Sequence, residues 1–173
     1  KMHANNSVTI SDNGRGIPVD NHPKFPNKSA LEVILTQLHS GGKFGGNVYK
    51  TAGGLHGVGI SVVNALSDHL EVKVYKQGTL FTQSYSKGHK LTELTSEPAA
   101  KKFKGTSINF HPDPEIFGEK AYFTPKTVYE LAKSKAYLYR GVTIEWHCEI
   151  ETKDNTPTKS LIHFPNGLKD YLI

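Results

Sequence analysis

A chain of 173 residues has enough apolar surface to close a core, so one compact domain over residues 1–173 is expected. Its 36% hydrophobic and 21% charged residues fall in the globular range, and no apolar run approaches the roughly 18 residues of a bilayer span, which excludes a helical membrane protein. The formal charge of +5 points to polyanionic partners, nucleotide phosphates or DNA, while a single cysteine, Cys148, excludes an internal disulfide and a multi-cysteine zinc site and fits a cytoplasmic location.

Along the chain, Val8-Thr9-Ile10 alternates as a strand and runs into the turn residues Asp12-Asn13-Gly14. The prolines of Ile17-Pro18-Val19-Asp20-Asn21-His22-Pro23 disfavour ladder pairing in the segment that follows. Ser29-Ala30-Leu31-Glu32 is a capping-box pattern, and Leu31, Ile34, Leu35 and Leu38 repeat as one face of a helix. Residues 40–54 are rich in glycine, have no apolar period, and read as a loop around Lys43 and Lys50. A second helix is expected over Leu55 to Ser67, with Val58, Val62, Val63 and Leu66 on one face.

The period then changes to two. Leu70 to Tyr75, a turn at Lys76-Gln77-Gly78, and Leu80 to Tyr85 form an antiparallel hairpin, and Thr106 to Phe110 adds a strand. Thr124-Pro125 starts a helix reaching about Tyr139. Strands Val142 to Glu151 and Ser160 to Phe164 follow, separated by Lys153-Asp154-Asn155-Thr156-Pro157, and a short helix begins after Asn166-Gly167. Without a repeating βα unit, the expectation is an α+β two-layer sandwich with helices on one face of the sheet.

Two motifs carry chemistry. In Asp12-Asn13-Gly14-Arg15-Gly16-Ile17-Pro18, a carboxylate at a strand end can accept a hydrogen bond from an exocyclic amine, and the glycines let a flat ring approach the backbone; Asn13-Gly14 alone is equally a hairpin turn. In Gly53-Gly54-Leu55-His56-Gly57-Val58-Gly59, glycines at a helix start expose N–H groups to an anion such as phosphate, although a glycine-rich loop alone is also a linker. Val48 to Ala52 is a poor strand for a dinucleotide fold, and Gly59-Ile60-Ser61 is not the end of a Walker loop. None of the scattered histidines has the spacing of a helical zinc site. Lys101, Lys102 and Lys104 form the densest basic cluster, read as a solvated run or a phosphate-backbone contact.

With Leu38-His39-Ser40-Gly41-Gly42-Lys43-Phe44, these motifs resemble the ATPase domain of bacterial type II topoisomerase B subunits, from the superfamily shared with Hsp90, MutL and histidine kinases. Lys135 to Val142 and Phe164 to Leu172 resemble topoisomerase IV more than gyrase. The resemblance implies a mixed, mostly antiparallel Bergerat-type ATP-binding fold in which Asp12 binds the adenine amine directly and through a water shared with Thr106. Gly16 packs against the base, Ile10, Ile17, Ile34 and Ile108 line its pocket, and Arg15, Pro18 and Lys76 form the rim where ATP-competitive inhibitors bind. Lys43 stabilises phosphate charge, and Leu55, His56, Gly57, Val58 and Gly59 supply backbone donors to the phosphates. Lysine at position 76, where the family commonly has arginine, offers no planar surface for stacking.

The resemblance also implies a preceding helix bearing a glutamate base and a magnesium-binding asparagine. Neither motif occurs in this sequence, so the chain is expected to be N-terminally truncated, to lack both the catalytic base and a metal ligand, and by itself to hydrolyse no ATP. The parent enzyme implied is a cytoplasmic ATP-dependent topoisomerase and antibiotic target, using ATP and Mg2+. Its implied partners are DNA and an A-type subunit, it dimerises on binding ATP, and it has no membrane partner. The reading from a different class is a non-enzymatic basic DNA-binding module.

Overall fold

A computed structural model of the chain describes residues 1–40 and 57–172. Backbone contacts divide it into two compact units, Thr9–Glu119 and Lys1–Val8 with Lys120–Ile173. Among the described residues no helix is long and apolar enough to cross a membrane.

The unit Thr9–Glu119 is built on a sheet. Its elements are β1 (Val8–Ser11), β2 (Asn21–His22), β3 (Phe25–Ser29), α1 (Ala30–Thr36), α2 (Gly59–Ala65), β4 (Ser67–Lys76), β5 (Thr79–Ser86), β6 (His89–Lys90), β7 (Thr95–Pro98), β8 (Gly105–Pro112) and α3 (Pro114–Phe117). Among the described residues the main sheet runs β1-β8-β4-β5-β6, with β7 also on β5, so the last long strand in sequence lies between the first and the central one. The pairs β4–β5 and β4–β8 are antiparallel. So, by its side-chain contacts, is β1–β8, where Thr9 meets Asn109 and Ser11 meets Ser107. The β4–β5 turn is the expected one, Gln77-Gly78, with both residues at positive φ as a two-residue hairpin requires.

Alternation sorts β4 into two faces. Leu70, Val72 and Val74 are fully buried and form one cluster with Leu31 and Leu35 of α1 and Tyr85 of β5. Ile60 and Val63 of α2 pack on that cluster, so both helices cover one sheet face, an α+β arrangement with a mostly antiparallel sheet. The core also contains hydrogen-bonded polar groups. Tyr85 Oη donates to Gln83 Oε1 at 2.7 Å and Gln83 Nε2 donates to the Thr92 carbonyl; burial, with the Glu32 carboxylate nearby, raises the Tyr85 phenol pKa. Asn64 Nδ2 donates to the Leu35 carbonyl at 2.9 Å, tying α2 to α1, while its Oδ1 has no partner among the described residues.

Several boundaries differ from expectation. Helix α1 has the expected cap, Ser29 Oγ accepting from Glu32 N–H, but the Glu32 carboxylate turns to Lys28 and Lys90. The helix stops at Thr36, whose hydroxyl donates back to the Glu32 carbonyl, and the next residue is extended, leaving Leu38 62% exposed. The described part of the second helix is Gly59–Ala65, and Ser67 already belongs to β4. Its buried positions are Ser61 and Asn64, whereas Val62 and Leu66 of the expected apolar face are exposed. The proline-bearing segment does pair: β2 and β3 form a small antiparallel hairpin with a register shift, leaving Pro26 outside the paired positions. Leu55 and the loop around Lys43 lie outside the described residues.

The second unit holds α4 (Pro125–Leu138), β9 (Thr143–His147), β10 (Lys159–His163) and a 3-10 turn at Gly167–Tyr171, in the expected order, although β9 ends at His147 rather than reaching Glu151. β9 and β10 pair antiparallel, and Tyr129 of α4 sits 5.2 Å from the Trp146 ring. The Trp146 indole N–H donates to the Pro157 carbonyl at 2.6 Å, and Tyr137 stacks on Phe164 with ring centroids 3.6 Å apart. Met2 is threaded into this unit by backbone hydrogen bonds to His147 and Glu149.

Glu149 fastens the same segment. Lys1 Nζ lies 2.7 Å from its Oε1 and Ala4 N–H donates to its Oε2 at 3.1 Å; together they lower the carboxyl pKa from 4.5 to about 2. Because the folded-state pKa is depressed, the stabilisation is complete above pH 4.5 and disappears as pH falls from there toward 2. Carbon NMR of the Glu149 carboxyl should show an inflection about pH 2, and Glu149→Gln should remove this part of the acid dependence of unfolding. An inflection at the ordinary carboxylate value would contradict the assignment.

Candidate functional site

The end of β1 is joined to the start of β8 at one point. Asp12 N–H donates to the Thr106 carbonyl at 2.8 Å, and Thr106 N–H reaches back to Asp12 Oδ1 at 3.4 Å. The same Oδ1 accepts the Gly14 N–H at 2.8 Å, so the carboxylate folds its own turn. Asp12 is exposed to solvent, and among the described residues its Oδ2 accepts no hydrogen bond. Thr106 is buried, and its hydroxyl oxygen accepts the Ile17 N–H at 3.1 Å while keeping its own proton to donate.

Two glycines make this closeness possible. Gly16 has φ +81, and a Cβ there would stand 2.9 Å from Val74 Cγ1, so the chain rests on the core face of β4. Gly105 has φ +115, and a Cβ there would fall 1.9 Å from the Asp12 carbonyl oxygen. Gly105 and Val74 were not singled out from the sequence. An isolated glycine directly before the strand Thr106 to Phe110 was the available signal for Gly105. Val74 looked like any core residue.

Of the other expected site residues, Ile17 and Ile108 are half-buried against the core cluster, Ile34 is half-buried on α1, and Ile10 is 63% exposed. Arg15 and Pro18 are exposed beside this turn in sequence, and Lys76 Nζ lies 3.6 Å from Asp20 Oδ2. Gly57, Val58 and Gly59 form the entry to α2, whose N-cap, Val58, makes no side-chain capping bond. Among the described residues no side chain caps the first turn of that helix. Lys43, Leu55 and His56 lie outside the described residues. The arrangement suits a planar ligand bearing an amine: a carboxylate oxygen and a hydroxyl at the sheet edge, beside the half-buried apolar side chains of Ile17 and Ile108.

Residues 1–116 match the family described as histidine kinase-, DNA gyrase B-, and HSP90-like ATPase. The chain is 77% identical over 172 residues to the B subunit of DNA topoisomerase 4 from Rickettsia bellii, covering 99% of this chain and 26% of that protein. Among solved structures it is similar to the topoisomerase IV ATP-binding domain of Francisella tularensis in complex with a small-molecule inhibitor, with TM-score 0.78 and 36% identity over 99% of this chain and 44% of that one. It is also similar to the 43K ATPase domain of Thermus thermophilus gyrase B in complex with an aminocoumarin, with TM-score 0.80 and 32% identity over 98% and 40%. The chain spans about a quarter of the length of the curated relatives it matches.

The β1–β8 join supplies a stability test. Gly105→Ala, with backbone at its Cβ position and a positive φ, should cost about 2–4 kcal/mol in urea unfolding. Gly59→Ala, whose Cβ would meet nothing within 4 Å, should stay within about 1 kcal/mol of the parent. Equal effects of the two would contradict the close approach at Asp12.

Proposed function

The chain belongs to the histidine kinase-, DNA gyrase B-, and HSP90-like ATPase family, and from that membership we propose that it is the ATP-binding part of the ATPase domain of a bacterial type II DNA topoisomerase B subunit. The topoisomerase IV kind is favoured over gyrase by 77% identity to a protein of that name. In this reading residues 1–173 form one ATP-binding domain of a cytoplasmic enzyme that passes DNA, works with an A-type subunit, and dimerises through its ATPase domains.

The observation that carries the reading is the join of Asp12 to Thr106, because it leaves one carboxylate oxygen and one hydroxyl at the same edge. Asp12 Oδ2 accepts a hydrogen bond from the purine amine, and the Thr106 hydroxyl holds a water against the same ring. Gly16, resting on Val74, packs against the ring, with Ile17, Ile34 and Ile108 as apolar walls. Gly57, Val58 and Gly59 present backbone N–H groups to the phosphates, and the same role falls to Leu55 and His56, with Lys43 neutralising phosphate charge. Arg15, Pro18 and Lys76 line the rim, where ATP-competitive inhibitors are expected to dock.

The nucleotide supplies the phosphoanhydride bond whose hydrolysis drives strand passage in the whole enzyme. Magnesium belongs to the family reading, but among the described residues no group of three or more His, Cys, Asp or Glu could hold a metal ion, so no residue here is assigned to it.

Calorimetry on the full-length protein with a non-hydrolysable ATP analogue tests the reading. Asp12→Asn presents an amide to the purine and removes a hydrogen bond to a charged acceptor, so affinity should fall about 10- to 100-fold. The guanine analogue, with a carbonyl in place of the amine, should bind the parent protein poorly. Equal affinity of the parent and Asp12→Asn for the adenine analogue would sink the proposal.

A further inference from the structure

The sequence contains two Asn-Gly pairs, Asn13-Gly14 and Asn166-Gly167. Such a pair can close on itself when the side-chain amide is free to turn, the following nitrogen is unhindered, and a base is at hand for its proton. The two pairs differ on each count. Asn13 and Gly14 are exposed, the Asn13 side chain makes no hydrogen bond among the described residues, and a Cβ at Gly14 would meet only the Asp12 carboxyl. The Gly14 N–H donates to Asp12 Oδ1 at 2.8 Å, a carboxylate oxygen placed to receive its proton. At the second pair, Asn166 is held by Asp170, its N–H at 3.0 Å and its Nδ2 at 2.9 Å. Gly167 is buried, and its N–H donates to the Phe164 carbonyl, which cannot serve as a base.

We propose that Asn13 is a self-modifying position, converted to aspartate and isoaspartate with Asp12 as the base. The Gly14 nitrogen forms a bond to Asn13 Cγ as its proton passes to Asp12 Oδ1. The Cγ–Nδ2 bond breaks, Nδ2 takes up a proton and leaves as ammonia, and a five-membered imide remains. Water opens that ring at either carbonyl, so one amide and one water become one carboxylic acid and one ammonia. Opening on the main-chain side inserts the Asn13 Cβ into the backbone and displaces Gly14 from Asp12. Either product adds a carboxylate beside the one that receives the purine amine. This consequence for binding rests on the nucleotide reading; the chemistry itself does not.

The test incubates full-length protein at neutral pH and follows both Asn-Gly peptides by mass spectrometry, with enzymatic methyl labelling of isoaspartate. Asn13 should convert at least about tenfold faster than Asn166, and Asp12→Asn, which keeps an acceptor for the Gly14 N–H but removes the base, should slow Asn13 by about tenfold or more. Asn13 remaining intact, trailing Asn166, or reacting at a rate indifferent to Asp12→Asn would overturn the proposal. A saturating non-hydrolysable ATP analogue should protect Asn13, because a hydrogen bond donated to Oδ2 weakens the same carboxylate as a base for Gly14. If the other results hold and the analogue gives no protection, the modification stands and the nucleotide reading fails.

Discussion

The closure of the chain at Asp12 governs this structure. Here the first strand ends, its last peptide is bonded to Thr106, and the carboxylate shapes the turn that lays Gly16 over the sheet. Backbone can approach backbone this closely only because position 105 carries no side chain. Sheet order and site are therefore not separate achievements of the sequence. The strand that completes the sheet between β1 and β4 is the one whose first residues build the site.

Much of this was legible beforehand, for identifiable reasons. The central hairpin announced itself through alternation over Leu70 to Tyr75 and Leu80 to Tyr85, and the turn between them through its residue types. The helix from Pro125 was readable from its first-turn proline, although Thr124 makes no side-chain capping bond. What escaped was whatever lacked a period. Strands β6 and β7 are short, polar and exposed, held in place by β5 rather than by any preference of their own. Pairing was argued against because of Pro18 and Pro23, yet both lie outside β2 and β3 and so take no ladder position.

For the site, Asp12 and Gly16 stood in a motif legible in the sequence, whereas Thr106 entered only through the family resemblance; the structure bonds Thr106 to Asp12 and rests Gly16 on Val74. Gly105 was invisible because its partner is main chain ninety-three residues away in sequence, and no local pattern encodes a distant carbonyl. The helix faces failed for a related reason. A hydrophobicity pattern favours Val62 and Leu66, yet tertiary contacts turn Ser61 and Asn64 inward, where Asn64 bonds α1. Polar residues carry specific pairings that periodicity cannot score.

Val74 contributes to two structures at once, since its buried side chain belongs to the core cluster and also lies directly beneath Gly16. In the proposed site, a ring held against Gly16 is thus separated from the protein's interior by a single glycine. A substitution that reshapes the core side to turn away a competing molecule also disturbs packing, whereas Arg15, Pro18 and Lys76 stand outside that cluster. Were the proposed site blocked, heritable escape would accordingly be channelled to the periphery, and compounds that draw their affinity from the core side would leave the cell fewer viable answers.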